Sequence, residues 1–185
     1  MKIGPRAKLL LIAALFLLPI VASVLVYRFG SVRPTANYGE LIAPTTITSQ
    51  PFGLASGGQF SFDHVRGRWA MVASDSGTCP AACVEKLTTL RQVRLALGRN
   101  AARVERVFVV DDLRRPGAAA MQPFDGTVIA LTPTGMSLPL SAANDRAHIY
   151  LVDPRGNVML RWPAAADRKR MLKDLERLLK ASQIG

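Results

Sequence analysis

Two kinds of apolar spacing divide this chain. From Leu9 to Tyr27 no charged residue interrupts the run. At about 1.5 Å of rise per residue such a helix reaches roughly across a bilayer core. Beyond it the apolar positions turn periodic. "GQFSFDHV" (58–65) sets Phe60 and Phe62 on one face of a strand, and "RGRWAMVAS" (66–74) is an apolar run of buried-strand length after a glycine turn. Leu87, Leu90, Val93 and Leu97 recur at helical spacing and stop at Gly98. "RVERVFVVDD" (103–112) is short and β-branched, as an interior parallel strand is. "TVIALTP" (127–133) fits either a short strand or part of a helix-loop element. "AHIYLVDPRGNVMLRWP" (147–163) alternates on both sides of Asp153-Pro154-Arg155-Gly156-Asn157, the signature of a β-hairpin. "DRKRMLKDLERLLK" (167–180) is an amphipathic helix with Met171, Leu172, Leu175, Leu178 and Leu179 inward and Asp167 at its start.

Strand, strand, helix, strand, variable region, hairpin, helix describes a mixed α/β domain with a crossover helix. The 185 residues are enough for one core. The expected organisation is a basic cytoplasmic tail over 1–8, a transmembrane anchor over 9–27, a Gly-, Pro-, Ser- and Thr-rich linker over 28–57 and the domain over 58–182. A cleaved signal peptide is the competing reading of the first segment, but the apolar run exceeds the usual signal core of about 7–15 residues. Lys2, Arg6 and Lys8 on the short tail place it in the cytoplasm and the domain across the membrane, although Arg28 and Arg33 reduce the asymmetry. Pro19 is tolerated in a membrane helix.

The formal charge is +11; setting aside Lys2, Arg6, Lys8 and Arg28 leaves 20 basic and 13 acidic residues, a net of +7. A basic excess on a tethered domain suits an anionic membrane surface or an acidic partner. No basic stripe is interleaved with aromatics, so nucleic acid is not expected. An exported domain also sits where disulfides persist.

The two cysteines fall in "SGTCPAACVEKL". Cys79 and Cys83, four residues apart, share one face of a first helical turn and lie within disulfide reach. A staple closing so small a loop stabilises little. A helix N-terminus lowers a thiol pKa, and Pro80 fits the first helical positions. Context therefore favours chemistry over packing: thiol-disulfide exchange, or Cu(I) held by two thiolates and a further soft or imidazole ligand.

"RGRWAMVASDSGTCPAACVEKL", "VFVVDD" and "YLVDPRGNV", in that order, resemble the SCO/SenC family of membrane-anchored, thioredoxin-fold proteins that help assemble the copper centre of cytochrome c oxidase. The similarity spans roughly 58–180, and "NYGELI" is similar to a segment of a divergent proteobacterial branch of small transmembrane relatives. The resemblance implies a thioredoxin-like α/β fold behind a transmembrane helix, Cys79 and Cys83 as redox and copper cysteines, copper as cofactor, the copper-bearing oxidase subunit as partner, and a single-pass protein of the bacterial inner membrane with its domain in the periplasm. It also exposes a departure. Counting back from Asp153 to the family's ligand histidine lands on Asp145, and His148 stands three residues later, roughly 10 Å along a strand and on the other face. His148 is thus a candidate third metal ligand only if the preceding loop is remodelled; otherwise it is a strand or surface histidine.

"SDSGT" replaces the family's aromatic-glycine-aromatic run and puts Asp75 near the cysteines, as a solvated turn residue or a proton carrier that would raise thiolate pKa by like charge. His64 reads as a surface residue, and Asp111-Asp112 as strand-end solvation. Met71, Met159 and Met171 read as core; Met121 and Met136, in the variable region, are fallback thioethers on which no ligand role is placed. Two other readings stand beside oxidase copper-site assembly: a general thiol-disulfide oxidoreductase, and a non-catalytic membrane-anchored interaction module.

Overall fold

A computed structural model of the protein describes residues 4–29, 37–47, 49–133, 140 and 145–182. The chain separates into two compact units, Met1–Ala36 and Asn37–Gly185. The first holds helix α1 (Pro5–Phe29), long and apolar enough to cross a membrane by length and composition, with Pro19 inside it.

The second unit is built on a sheet with the strand order β1-β8-β7-β4-β5-β6-β2-β3. Its strands are β1 (Glu40–Thr46), β2 (Phe52–Leu54), β3 (Gln59–Phe60), β4 (Trp69–Asp75), β5 (Val104–Val110), β6 (Val128–Leu131), β7 (His148–Val152) and β8 (Asn157–Pro163). Strand β4 pairs parallel with β5 and antiparallel with β7, and β5 pairs parallel with β6. Helix α2 (Ala81–Ala96) makes the crossover from β4 to β5, a four-residue α3 (Ala118–Met121) precedes β6, and α4 (Arg168–Ala181) closes the domain.

Strand β4 is buried at every position because both faces of the sheet are covered. On one face Trp69, Met71, Ala73, Phe108, Ile149 and Leu151 pack with Leu87, Leu90 and Val93 of α2 and with Met171, Leu175 and Leu179 of α4. On the other, Ala70, Val72, Val107, Val109, Tyr150 and Val152 meet Ile47, Phe52, Phe60, Phe62 and Leu140. The ambiguous "TVIALTP" stretch is strand β6. "GQFSFDHV" is strand only over Gln59–Phe60; a 3-10 turn, Phe62–Val65, follows, yet Phe60 and Phe62 are both buried as the alternation predicts.

The segment expected as linker, 28–57, contributes two strands. Strand β1 is an edge strand on β8 with an irregularity between Leu41 and Thr45 around Pro44, and Phe52 of β2 is fully buried. Proline and exposed polar side chains are what an edge strand tolerates, so its pattern resembles that of a spacer. The compact unit begins not at 58 but at Asn37. Asp174 of α4, almost fully buried, fastens its start by accepting from Tyr38 N at 2.9 Å, Gly39 N at 2.8 Å and Trp162 Nε1 at 3.0 Å.

Candidate redox site at the Cys79–Cys83 turn

Cys79 and Cys83 form a disulfide with a Cα–Cα distance of 5.0 Å. Strand β4 ends at Asp75, the chain turns through Ser76–Thr78, and Pro80 is the N-cap residue of α2. Cys83 is thus in the first turn of the helix, as expected, while Cys79 stands just before it. Cys79 is the one residue other than glycine at positive φ among the described residues, at 41°. A left-handed backbone at a β-carbon-bearing residue costs energy and persists only where its surroundings over-determine it.

The surroundings that do so come from the end of β5. The Asp112 carboxylate accepts from Ser76 Oγ, from Gly77 N at 3.0 Å and from Arg114 N at 3.1 Å. Cys79 N donates to Ser76 O at 2.9 Å, and Thr78 N to Ser76 Oγ at 3.2 Å. Gly77 lies so close to this loop that a Cβ there would stand 1.8 Å from Arg114 O, which only glycine avoids. Burial pushes the Asp112 carboxyl up, but the bonds from Gly77, Ser76 and Arg114 outweigh it and hold the pKa below the ordinary aspartate value. Asp111, its neighbour, holds Arg146 through a two-pronged ion pair, with Nε to Oδ2 at 2.8 Å.

The two cysteines differ slightly in exposure. Cys83 is fully buried, whereas Cys79 retains 9% of its surface. Helix α2 is also joined to the end of β4 by a buried ion pair, Lys86 Nζ to Asp75 Oδ2 at 2.7 Å, with side chains only 1% and 7% exposed. Lys86 Nζ also donates to Ser74 O at 2.6 Å and to Arg146 O at 2.9 Å, so each of its three N–H groups has an acceptor. Asp75 is therefore not a solvated turn residue: it is buried and its carboxylate is paired with an ammonium. The signal for Lys86 was its position on the inward stripe of α2, three residues after Cys83 and four before Leu90. A lysine there reads as a solvated interruption until the carboxylate opposite it is known.

His148 is not brought to the cysteines. It opens β7 in register with Pro163, and its parity is that of Tyr150 and Val152, on the face away from α2. Its ring lies 5.9 Å from that of Tyr150. Burial first, then the positive charge of Arg161, lowers its pKa, with Glu40 opposing. The turn before it, Asp145–Ala147, meets the site through Arg146, whose carbonyl and guanidinium both reach site residues. His64 sits in the 3-10 turn after β3, its Nδ1 accepting from Ser61 N at 3.0 Å, and takes no part in the site. Met71, Met121 and Met171 are core residues and Met159 packs against them; Met136 lies outside the described residues. Among the described residues no group of three His, Cys, Asp or Glu side chains is arranged to hold a metal.

No curated protein matches the chain. Among solved structures it is similar to a SCO1/SenC family lipoprotein from Bacillus anthracis str. Ames, with 19% identity and a TM-score of 0.56 over 76% of this chain and 99% of that one. It is similar to yeast Sco1 with copper bound, at 16% identity and a TM-score of 0.61 over 72% and 93%. The thioredoxin domain of a thiol-disulfide oxidoreductase from Bacteroides vulgatus matches at 15% identity and a TM-score of 0.55 over 74% and 98%. At these identities the likeness is one of fold, and it is the thioredoxin-like fold expected from the sequence. The model of the transmembrane-like, thioredoxin-like, C-terminal domain matches residues 69–182, from the first residue of β4 to the C-cap of α4, and the chain belongs to that family.

Proposed function

We propose that the protein is a membrane-anchored dithiol protein that works by thiol-disulfide exchange through Cys79 and Cys83, serving assembly of the cytochrome c oxidase copper site. The observation that carries this reading is the unequal exposure of two cysteines within disulfide distance at a strand-to-helix turn. In the reduced protein Cys79, the less buried of the two cysteines, attacks a client disulfide. The mixed disulfide forms as one client thiolate leaves. Cys83, sealed beneath, then attacks Cys79 Sγ, closing the 79–83 bond and releasing the second client thiolate. Two electrons pass to the client, whose thiolates take up protons from solvent. The oxidase copper subunit as client, and the periplasmic side of a bacterial inner membrane as compartment, rest on the sequence resemblance to SCO/SenC and on the apolar α1.

Copper delivery is the second reading, favoured by the donor set: two thiolates at a helix N-terminus suit soft Cu(I) as cargo. The position of His148 on the opposite face favours two-thiolate over three-ligand binding, and this supports reading exchange ahead of stable metal storage. Anaerobic Cu(I) titration of the full chain in detergent, run with a dithiol redox titration, tests both. The expected result is a reversible two-electron couple lost in Cys79→Ser and Cys83→Ser, with Cu(I) affinity unchanged in His148→Ala. A tenfold or greater loss of Cu(I) affinity in His148→Ala would overturn the two-thiolate reading. If both serine variants support oxidase assembly in cells as wild type does, the dithiol is not what the client needs and the protein is an interaction module.

A further inference from the structure

Helix α4 turns a basic face to solvent. Met171, Leu175 and Leu179 are buried in the core, while Lys169, Arg170, Lys173, Arg177 and Lys180 are all exposed. At about 3.6 residues per turn these five cations fall within one arc of roughly 100°, opposite the apolar stripe. Glu176 is the one exposed acid of the helix and stands at the edge of that arc. Arg168 lies outside it, paired with Glu85. None of the ion pairs among the described residues takes Lys169, Lys173 or Lys180.

The same helix is where the tether meets the domain. Helix α1 ends at Phe29 and the compact unit begins at Asn37. The seven residues between them, 30–36, span at most about 25 Å. Tyr38, which follows directly, is fixed to α4 at three points. Its amide donates to Asp174 Oδ1 at 2.9 Å, its hydroxyl accepts from Asp167 N at 3.2 Å, and the Arg170 guanidinium lies 4.1 Å from its ring centre. Where α1 crosses a bilayer, so short a tether keeps the basic face of α4 within reach of the headgroups.

We propose that this face of α4 docks on the anionic phospholipid headgroups of the membrane that α1 spans, and so lays the domain against the bilayer. Charge complementarity and the short tether together select lipid over an acidic protein as the occupant. The apolar stripe of α4 is already buried in the core, so the contact is electrostatic and superficial, without insertion of the helix. Docking is separate from the dithiol chemistry; of the function proposed above it takes only the membrane anchor.

The test uses the full chain, oxidised, with a donor fluorophore on Ala181→Cys at the exposed end of α4. It is reconstituted in vesicles of phosphatidylcholine alone or mixed with phosphatidylglycerol, each carrying an acceptor lipid. Flotation with the vesicles at about 1 M salt, where the Debye length is about 3 Å, checks the anchor separately. A chain that does not float there has no anchor, which overturns the proposal together with the membrane reading. Energy transfer is expected to rise with phosphatidylglycerol and to fall back at about 1 M salt. Each lysine at an anionic surface shifts the ratio of docked to undocked domain by about fivefold, so Lys169→Gln, Lys173→Gln and Lys180→Gln combined should lower it by about a hundredfold. That variant should give the transfer seen in phosphatidylcholine alone. Arg114→Gln, Arg115→Gln and Arg155→Gln combined remove the same charge from exposed residues outside α4 and should keep the rise. Equal transfer in the two lipids, in a chain that floats, overturns docking alone and leaves an acidic protein as the occupant. An equal loss in both triple variants also overturns it, in favour of attraction by net charge.

Discussion

Single residues around the disulfide are tightly committed, and their removal has calculable consequences. Lys86→Met leaves the Asp75 carboxylate buried without its counter-ion. Removing one partner of a buried pair costs about 3–5 kcal/mol. Urea denaturation of the oxidised protein should show that loss, and Asp75→Asn combined with Lys86→Met should recover most of it; a single-variant loss under about 1 kcal/mol would mean that the interior relaxes around the carboxylate. Asp112 makes a pH prediction. Its folded pKa lies below the ordinary aspartate value of 3.8, so protonation favours the unfolded chain. Its contribution is fully present above that value and is lost as pH falls through the lower, folded pKa. Asp112→Asn should therefore flatten the acid limb of the thermal midpoint between about pH 5 and pH 2. His148 has the same sign with a higher onset: its pKa is depressed below 6.5, and its contribution fades as pH falls below that value.

At the scale of elements, the cysteine turn depends on the loop after β5 more than on α2 itself. Gly77→Ala would drive a Cβ into Arg114 O. Relief requires one loop to move, at about 1–3 kcal/mol by the usual cost of overpacking. The same displacement frees Cys79 from its left-handed backbone. The variant should thus show a changed reduction potential together with lower stability; a variant that loses stability while keeping the wild-type potential would separate the loop from the chemistry. Helix α4 offers a cleaner case. Asp167 caps it by accepting from Arg170 N at 2.9 Å, and Asp167→Ala should cost about 1 kcal/mol without touching the redox couple. These elements were legible beforehand because their signals are local. A buried strand with both faces covered, a helical stripe ending at Gly98 and a hairpin around Asp153–Asn157 each declare themselves in a short window of sequence. The loop packing at Gly77 does not, because it joins residues more than thirty positions apart.

For the whole molecule, the domain boundary is the sharpest test. A chain starting at residue 58, as the apolar pattern alone would cut it, lacks β1, β2 and the Tyr38–Gly39 segment on Asp174. It should aggregate or unfold, whereas a chain starting at residue 37 should fold cooperatively; equal stability of the two would show that these strands are ornamental. The sequence by itself determined the long apolar segment, the order of the core elements and the place of the cysteines at a strand-to-helix turn. All three depend on interactions between residues close in the chain. Only the tertiary structure decided which residues face the disulfide. It paired Lys86 with Asp75, set Asp112 under the turn and left His148 on the far side of the sheet. It also recruited an edge strand from what reads as a spacer. The reason is physical: sheet register and parity fix the face a side chain takes, and the strands that set them lie far apart in sequence.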